Sequence, residues 1–294
     1  MGIKQLQKCL VELGADINIE NWKGDTSLFA ACYSGNKEIV KYLVEREADV
    51  NKVNRNGETP LFGACYSGNK AIVKYLVERE ADINKVNRNG ETPFFGACYS
   101  GNKVIIEYLV KLGVDMNKEK MNGETPLFKA CASGNEVIVK YLIEHGADIN
   151  KENVNGETPL FNACASKNEI MVKYLVELGA DINKEKMNGE TPLFNACSSK
   201  NEVMVKYLVE LGADINKENE NGETPLFKAC EKENEAVVKY LIEHGADVHK
   251  ENKNGHTPSS FTKNKIILNY LRGRPEDYDN EVVLKYFPER TLFS

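Results

Sequence analysis

The residues of this chain that could do covalent chemistry are few, and their spacing suits none of it. Its four histidines are His145, His244, His249 and His256. The last three cluster in the sequence, but a zinc site wants a tighter ligand spacing or cysteine partners, and they have neither. No Ser/His/Asp or Cys/His constellation appears, and no glycine-rich phosphate loop. His145 and His244 read instead as the ends of helices, where partial positive charge complements the backbone dipole. Of the eight cysteines, seven (Cys32, Cys65, Cys98, Cys131, Cys164, Cys197 and Cys230) return every 33 residues. Equivalent positions on stacked helices lie about 8–10 Å apart, beyond the reach of a disulfide. These thiols are therefore expected as small buried residues at tight helix contacts. No catalytic residue, metal site or cofactor is predicted. The chemistry left is recognition, and Trp22, Tyr33, Tyr66, Tyr99, Arg55 and Arg88 are of the types that dominate binding hot spots.

Those spacings come from a repeat. Gly24, Gly57, Gly90, Gly123, Gly156, Gly189, Gly222 and Gly255 stand 33 residues apart. A period between about 20 and 50 residues means stacked supersecondary units rather than one core around a cleft. In the unit over residues 51–83, Asn56-Gly57 marks a hairpin tip, because glycine accepts positive φ. Thr59 is then the N-cap and Pro60 the first helical residue. Leu61, Phe62, Ala64 and Cys65 form the apolar face of a short first helix, which Ser67-Gly68-Asn69 ends. A second helix follows, with Ile72, Val73, Leu76 and Val77 as its stripe and Lys70, Lys74 and Glu78 toward solvent. Helices of about eight to ten residues are marginal alone in water, so each unit must bury its stripe against its neighbours.

The run Gly-x-Thr-Pro-Leu-x-x-Ala-Cys, then Ile-Val-Lys-Tyr-Leu and Gly-Ala-Asp-Ile-Asn, resembles the ankyrin repeat over roughly residues 3–272. The resemblance implies an all-α solenoid of helix-turn-helix units joined by β-hairpin loops. In that family the units stack into a curved array whose concave face is lined by the hairpins and first helices. Such arrays bind other proteins and carry no catalytic residues of their own. Three departures stand out. Phe29 and its six equivalents through Phe227 replace the family's His after Thr-Pro-Leu, so a Thr–His hydrogen bond is lost and apolar packing is expected instead. The helix-ending glycine is kept at Gly14, Gly113, Gly146, Gly179, Gly212 and Gly245 but becomes Glu47 and Glu80. If those two keep a left-handed cap, each costs about 1–2 kcal/mol. The first full unit reads Thr26-Ser27-Leu28, without the proline.

The grid divides the chain into a half-unit over 1–18 with a second helix only, seven full repeats over 19–255, a shortened closing unit over 256–273 and a tail over 274–294. The half-unit is either a natural cap or the continuation of a longer array. The tail's apolar stretch, Val282 to Phe287, either folds back on the last repeat or is read by a partner.

Positions that repeat unchanged are scaffold, and positions that vary between copies are candidates for recognition. Glu58 and its equivalents flank each tip, with Lys52 and its equivalents six residues earlier, and Lys–Glu pairing across the hairpin is expected. The varying tip position reads Trp22, Arg55, Arg88, Met121, Val154, Met187, Glu220 and Lys253. The varying first-helix position, which in the family faces the groove, reads Tyr33, Tyr66, Tyr99, Ala132, Ala165, Ser198 and Glu231. Its neighbour reads Ala30, Gly63, Gly96, Lys129, Asn162, Asn195 and Lys228. The predicted partner-binding set is therefore Trp22, Tyr33, Arg55, Tyr66, Arg88, Tyr99, Met121, Lys129, Val154 and Met187, weighted to the N-terminal half, where glycine leaves room beside the rings.

Composition narrows the remaining classes. A net charge of −6 argues against nucleic acid, which wants a basic face. No run reaches the roughly 18 apolar residues that span a bilayer, and residues 1–6 carry no signal-peptide core. Free buried thiols fit a reducing compartment, so a cytoplasmic monomer is expected. The sequence predicts a non-enzymatic scaffold that binds a protein through the groove. A structural spacer within a larger protein and an adaptor that uses its C-terminal tail are the alternatives.

Overall fold

The computed structural model describes residues 16–165, 168–199 and 201–273. The expected half-unit, apart from 16–18, and the tail over 274–294 lie outside them. The chain divides into two compact units, residues 1–154 and 155–294. In the first lie α1 (Ser27–Tyr33), α2 (Lys37–Glu45), α3 (Pro60–Tyr66), α4 (Lys70–Val77), α5 (Pro93–Ser100), α6 (Lys103–Lys111), α7 (Pro126–Ser133) and α8 (Glu136–Glu144). The second holds α9 (Pro159–Ala165), α10 (Glu169–Glu177), α11 (Pro192–Ser198), α12 (Glu202–Glu210), α13 (Pro225–Glu231), α14 (Glu235–Glu243) and α15 (Lys265–Leu271), with a 3-10 turn at Pro258–Phe261. First helices pack in file, α1 on α3 on α5 on α7, and α9 on α11 on α13. Each short helix thus gains from its neighbours the burial it cannot find alone.

The stripes are buried as the pattern requires, save that Val77 is only half-buried. Leu61, Phe62, Ala64 and Cys65 meet Ile72, Val73 and Leu76, all essentially inaccessible, while Lys70, Lys74 and Glu78 are exposed. The seven described cysteines are free and buried. Burial pushes the thiols of Cys65, Cys98 and Cys131 far up, which removes their nucleophilicity at neutral pH.

The caps refine the sequence reading. Thr59, Thr92, Thr191 and Thr224 do sit at N-cap backbone positions, but their hydroxyls accept no capping bond. These four Oγ1 atoms, and that of Thr158, are buried without a partner. Thr26, where Ser27 replaces proline, does cap, accepting from Phe29 N at 3.2 Å. Second helices are capped by an asparagine whose role the sequence reading missed. Asn69 Oδ1 accepts from Ile72 N at 3.2 Å, and its Nδ2 donates to Gly35 O of the preceding repeat at 3.0 Å. One side chain thus starts a helix and ties two repeats together.

Each loop tip is a turn. Asn54 Oδ1 accepts from Asn56 N at 2.9 Å and Glu58 N at 3.0 Å, and no strand occurs among the described residues. Successive tips are joined by one backbone bond, as in Arg55 N to Lys23 O at 3.0 Å and Arg88 N to Asn56 O at 2.8 Å. That approach requires glycine: a Cβ on Gly24, at φ +78°, would lie 2.7 Å from Arg55 N.

Glu47 and Glu80 hold the left-handed cap, at φ +68° and +63°, and Glu233 adopts φ +53° where equivalent positions carry Gly35 and Gly68. The expected Lys–Glu pairing across one tip gives way to pairing between repeats. Lys52 Nζ meets Glu20 at 3.0 Å and Lys151 meets Glu119 at 2.8 Å; in the second unit Lys217 meets Glu185 at 2.7 Å. Stacking sets each loop beside its neighbour's, closer than the far limb of its own turn. The pairs are exposed and contribute little to stability.

Candidate functional site

The tips and first helices of the first unit bring most of the predicted residues together. Tyr33 and Tyr66 end α1 and α3, and Tyr99 is the last residue but one of α5, so the file of helices lines up their rings. Centroids lie 6.4 Å apart between Tyr33 and Tyr66, and 5.5 Å between Tyr66 and Tyr99. Tyr33 and Tyr99 are exposed and Tyr66 is half-buried between them. The glycines make this spacing possible. A Cβ on Gly63 would stand 3.0 Å from Tyr33 N, and one on Gly96 would stand 3.0 Å from Tyr66 Cδ2. Burial pushes the Tyr66 phenol up to about 12, and the nearby carboxylates of Glu91 and Glu58 add to it. It is thus a neutral hydroxyl that can donate.

An open pocket of about 720 Å³ adjoins the N-terminal end of this row. Trp22, Tyr33 and Arg55 line it, joined by Phe29 and by the carboxylates of Asp25 and Glu58. Trp22 is 74% exposed, and Lys23 Nζ stands 4.9 Å from its ring centroid. Arg88 and Met121 follow along the tips, each donating its backbone N–H to the tip before it, and Val154 does the same to Asn122 O at 2.9 Å. Met121 and Val154 are exposed. Lys129 is half-buried, with Nζ 3.9 Å from Glu91 Oε1. Met187 lies in the second unit, exposed, its N–H on Asn155 O at 2.8 Å.

Sequence reading missed Asp25 and Glu58 as parts of this surface. Comparing copies could have found them. At the position of Asn54 the chain elsewhere carries Lys120 and Lys186, each of which reaches the acid of its own tip at 2.8 Å. Lys186 matters electrostatically: burial alone would raise the Glu190 carboxyl, yet the Lys186 bond and charge hold it below its ordinary value.

Among the described residues no group of three or more His, Cys, Asp or Glu is placed to hold a metal ion. No described helix is long and apolar enough to cross a membrane.

A model of ankyrin repeats (3 copies) matches residues 2–87, 80–153, 145–219 and 182–252, and the chain belongs to the ankyrin-repeat family. Its fold is the all-helical ankyrin solenoid. Among solved structures it is similar to the ankyrin repeat domain of Bcl-3, a member of the IkappaB protein family, at TM-score 0.64 and 26% identity, over 74% of this chain and 100% of that one. It is likewise similar to the human ASB11 ankyrin repeat domain, at TM-score 0.65 and 28% identity, over 76% of this chain and 99% of that one. A comparison with curated proteins gave no match.

Proposed function

We propose that the chain is a non-enzymatic scaffold that binds a protein partner on the face formed by the tips and first helices of its first unit. Ankyrin-repeat domains generally serve as protein-interaction modules, which supports the class of function. The observation that carries the choice of face is the tyrosine row, with Trp22 and Arg55 at its end. Tyrosine offers large contact area at low entropic cost, and arginine adds planar hydrogen bonding. Met121, Lys129, Val154 and Met187 are secondary contacts in this reading. The buried, unreactive thiols fit a reducing cytoplasm, and the protein acts as a monomer with this face free.

The test is affinity capture with the wild-type chain and with Tyr33→Ala/Tyr66→Ala/Tyr99→Ala as bait. The rings stand in the last turn of the first helices, outside the apolar stripe, so the variant folds, as circular dichroism will show. It should lose its partners by about 2 kcal/mol or more. Replacing Met121, Val154 and Met187 should cost less. A tyrosine variant that folds and retains every partner defeats this reading.

A further inference from the structure

Asp25 and Glu58, the acids at the first tips, differ from Glu91, Glu124 and Glu190 in having no cation of their own. Glu91 has Lys120 at 3.8 Å and Lys129 at 3.9 Å, and Glu124 has Lys120 at 2.8 Å. Asp25 and Glu58 occupy the same two places two repeats earlier. Between them, where Lys120 would stand, lies the neutral amide of Asn54, its Nδ2 2.9 Å from Asp25 and 3.0 Å from Glu58. At the position of Lys129 stands Gly63. Lys23 and Arg55 border the same pocket, yet neither forms an ion pair with either acid among the described residues.

The aromatic rings show the same difference. On the second helices the protein covers its tyrosines with its own cations: Arg46 lies 4.9 Å from the Tyr42 centroid, Arg79 4.8 Å from Tyr75 and Lys74 5.3 Å from Tyr108. No described cation stands over Tyr33, Tyr66 or Tyr99. The N-terminal pocket therefore joins two carboxylates without an ion pair to the face of Tyr33, which no described cation covers.

We propose that this pocket receives an arginine or lysine side chain from a basic segment of the partner, its charge set between Asp25 and Glu58 and its stem laid against Trp22. The partner cation would do from outside what Lys120 does from within, with the uncovered Tyr33 ring adding a cation–π contact. This deepens the proposed function and rests on the same face being the binding surface.

Trp22 is the chain's one tryptophan, so its emission reports the pocket directly. The probes are a blocked nonapeptide with three arginines, its citrulline counterpart of the same shape without charge, and its glutamate counterpart. The arginine peptide should shift Trp22 emission saturably, and raising NaCl from about 50 to about 500 mM should weaken it. The citrulline peptide should bind about tenfold more weakly or worse, and the glutamate peptide should give no response. Asn54→Lys supplies the missing cation internally, in a conformation the protein already accepts at Lys120. That variant and Asp25→Asn/Glu58→Gln should each weaken the arginine peptide by about tenfold. No response to the arginine peptide, equal affinity for citrulline, a preference for glutamate, or indifference to both variants overturns the inference. The two readings fail separately. A partner lost by the tyrosine variant but kept by Asn54→Lys leaves the binding face standing and removes the cation pocket; a partner kept by both removes the face itself.

Discussion

Glu80→Gly should stabilise the protein, and the size of the gain follows from the cap. Glu80 sits at φ +63°, two residues beyond the C-cap of α4, Glu78. For an L-residue the left-handed region costs about 1–2 kcal/mol, because Cβ crowds the backbone. Glycine removes that cost but loses more chain entropy on folding, about 0.5–1 kcal/mol. The net gain is about 1 kcal/mol. Nothing else should change much. Glu80 is exposed, and the bonds that define the cap are backbone ones: Glu80 N to Val77 O, Ala81 N to Leu76 O, and Asn51 Nδ2 to Glu80 O at 3.0 Å. A carboxylate beside a helix C-terminus is also mildly repelled by the dipole. The assay is urea unfolding, with the midpoint compared at unchanged slope. Hydrogen exchange over residues 70–92 would show that the gain is local, since stability in a repeat array is a sum of neighbour terms. Gly212→Ala is the control of opposite sign: a Cβ there meets nothing within 4 Å, so only the backbone cost, about 1 kcal/mol net, should appear as a loss. Destabilisation by Glu80→Gly, or stabilisation by Gly212→Ala, would refute the cap argument.

Two further outcomes follow from the buried polar groups. Thr92→Val should raise stability by about 1 kcal/mol, because it removes a buried hydroxyl with no partner from a residue already in extended backbone; a loss of that size in urea unfolding would mean that the hydroxyl is satisfied in solution. Glu190 titrates below the ordinary value for a glutamate, so its contribution is complete above that ordinary value and disappears as pH falls through the lowered folded value. Glu190→Gln should flatten the fall in stability below about pH 4.5, and an unchanged slope would show that the Lys186 pair is not linked to folding.

The architecture was legible because it is local and repeated. One 33-residue sentence carries its own turn residue, helix start and apolar stripe, and repetition forces the stacking that buries Leu61, Phe62, Ile72 and Leu76. The left-handed cap at Glu47 and Glu80 could be read from the glycines at equivalent positions, and the tyrosine row from its spacing. Contacts between repeats were not legible, since they depend on which limb of one loop faces which limb of the next. That is why Lys52 meets Glu20 rather than Glu58, and why Asn69 serves two repeats at once. The Thr92 hydroxyl, read as a cap, is buried without a partner, because its local pattern does not fix the distance and angle a capping bond needs. The pocket beside Trp22 was hidden for a related reason. Glu58 belongs to a repeated scaffold row in which Asp25 stands for Glu, and the close approach of adjacent tips shows that the amide of Asn54 joins these two acids where Lys120 joins Glu91 and Glu124.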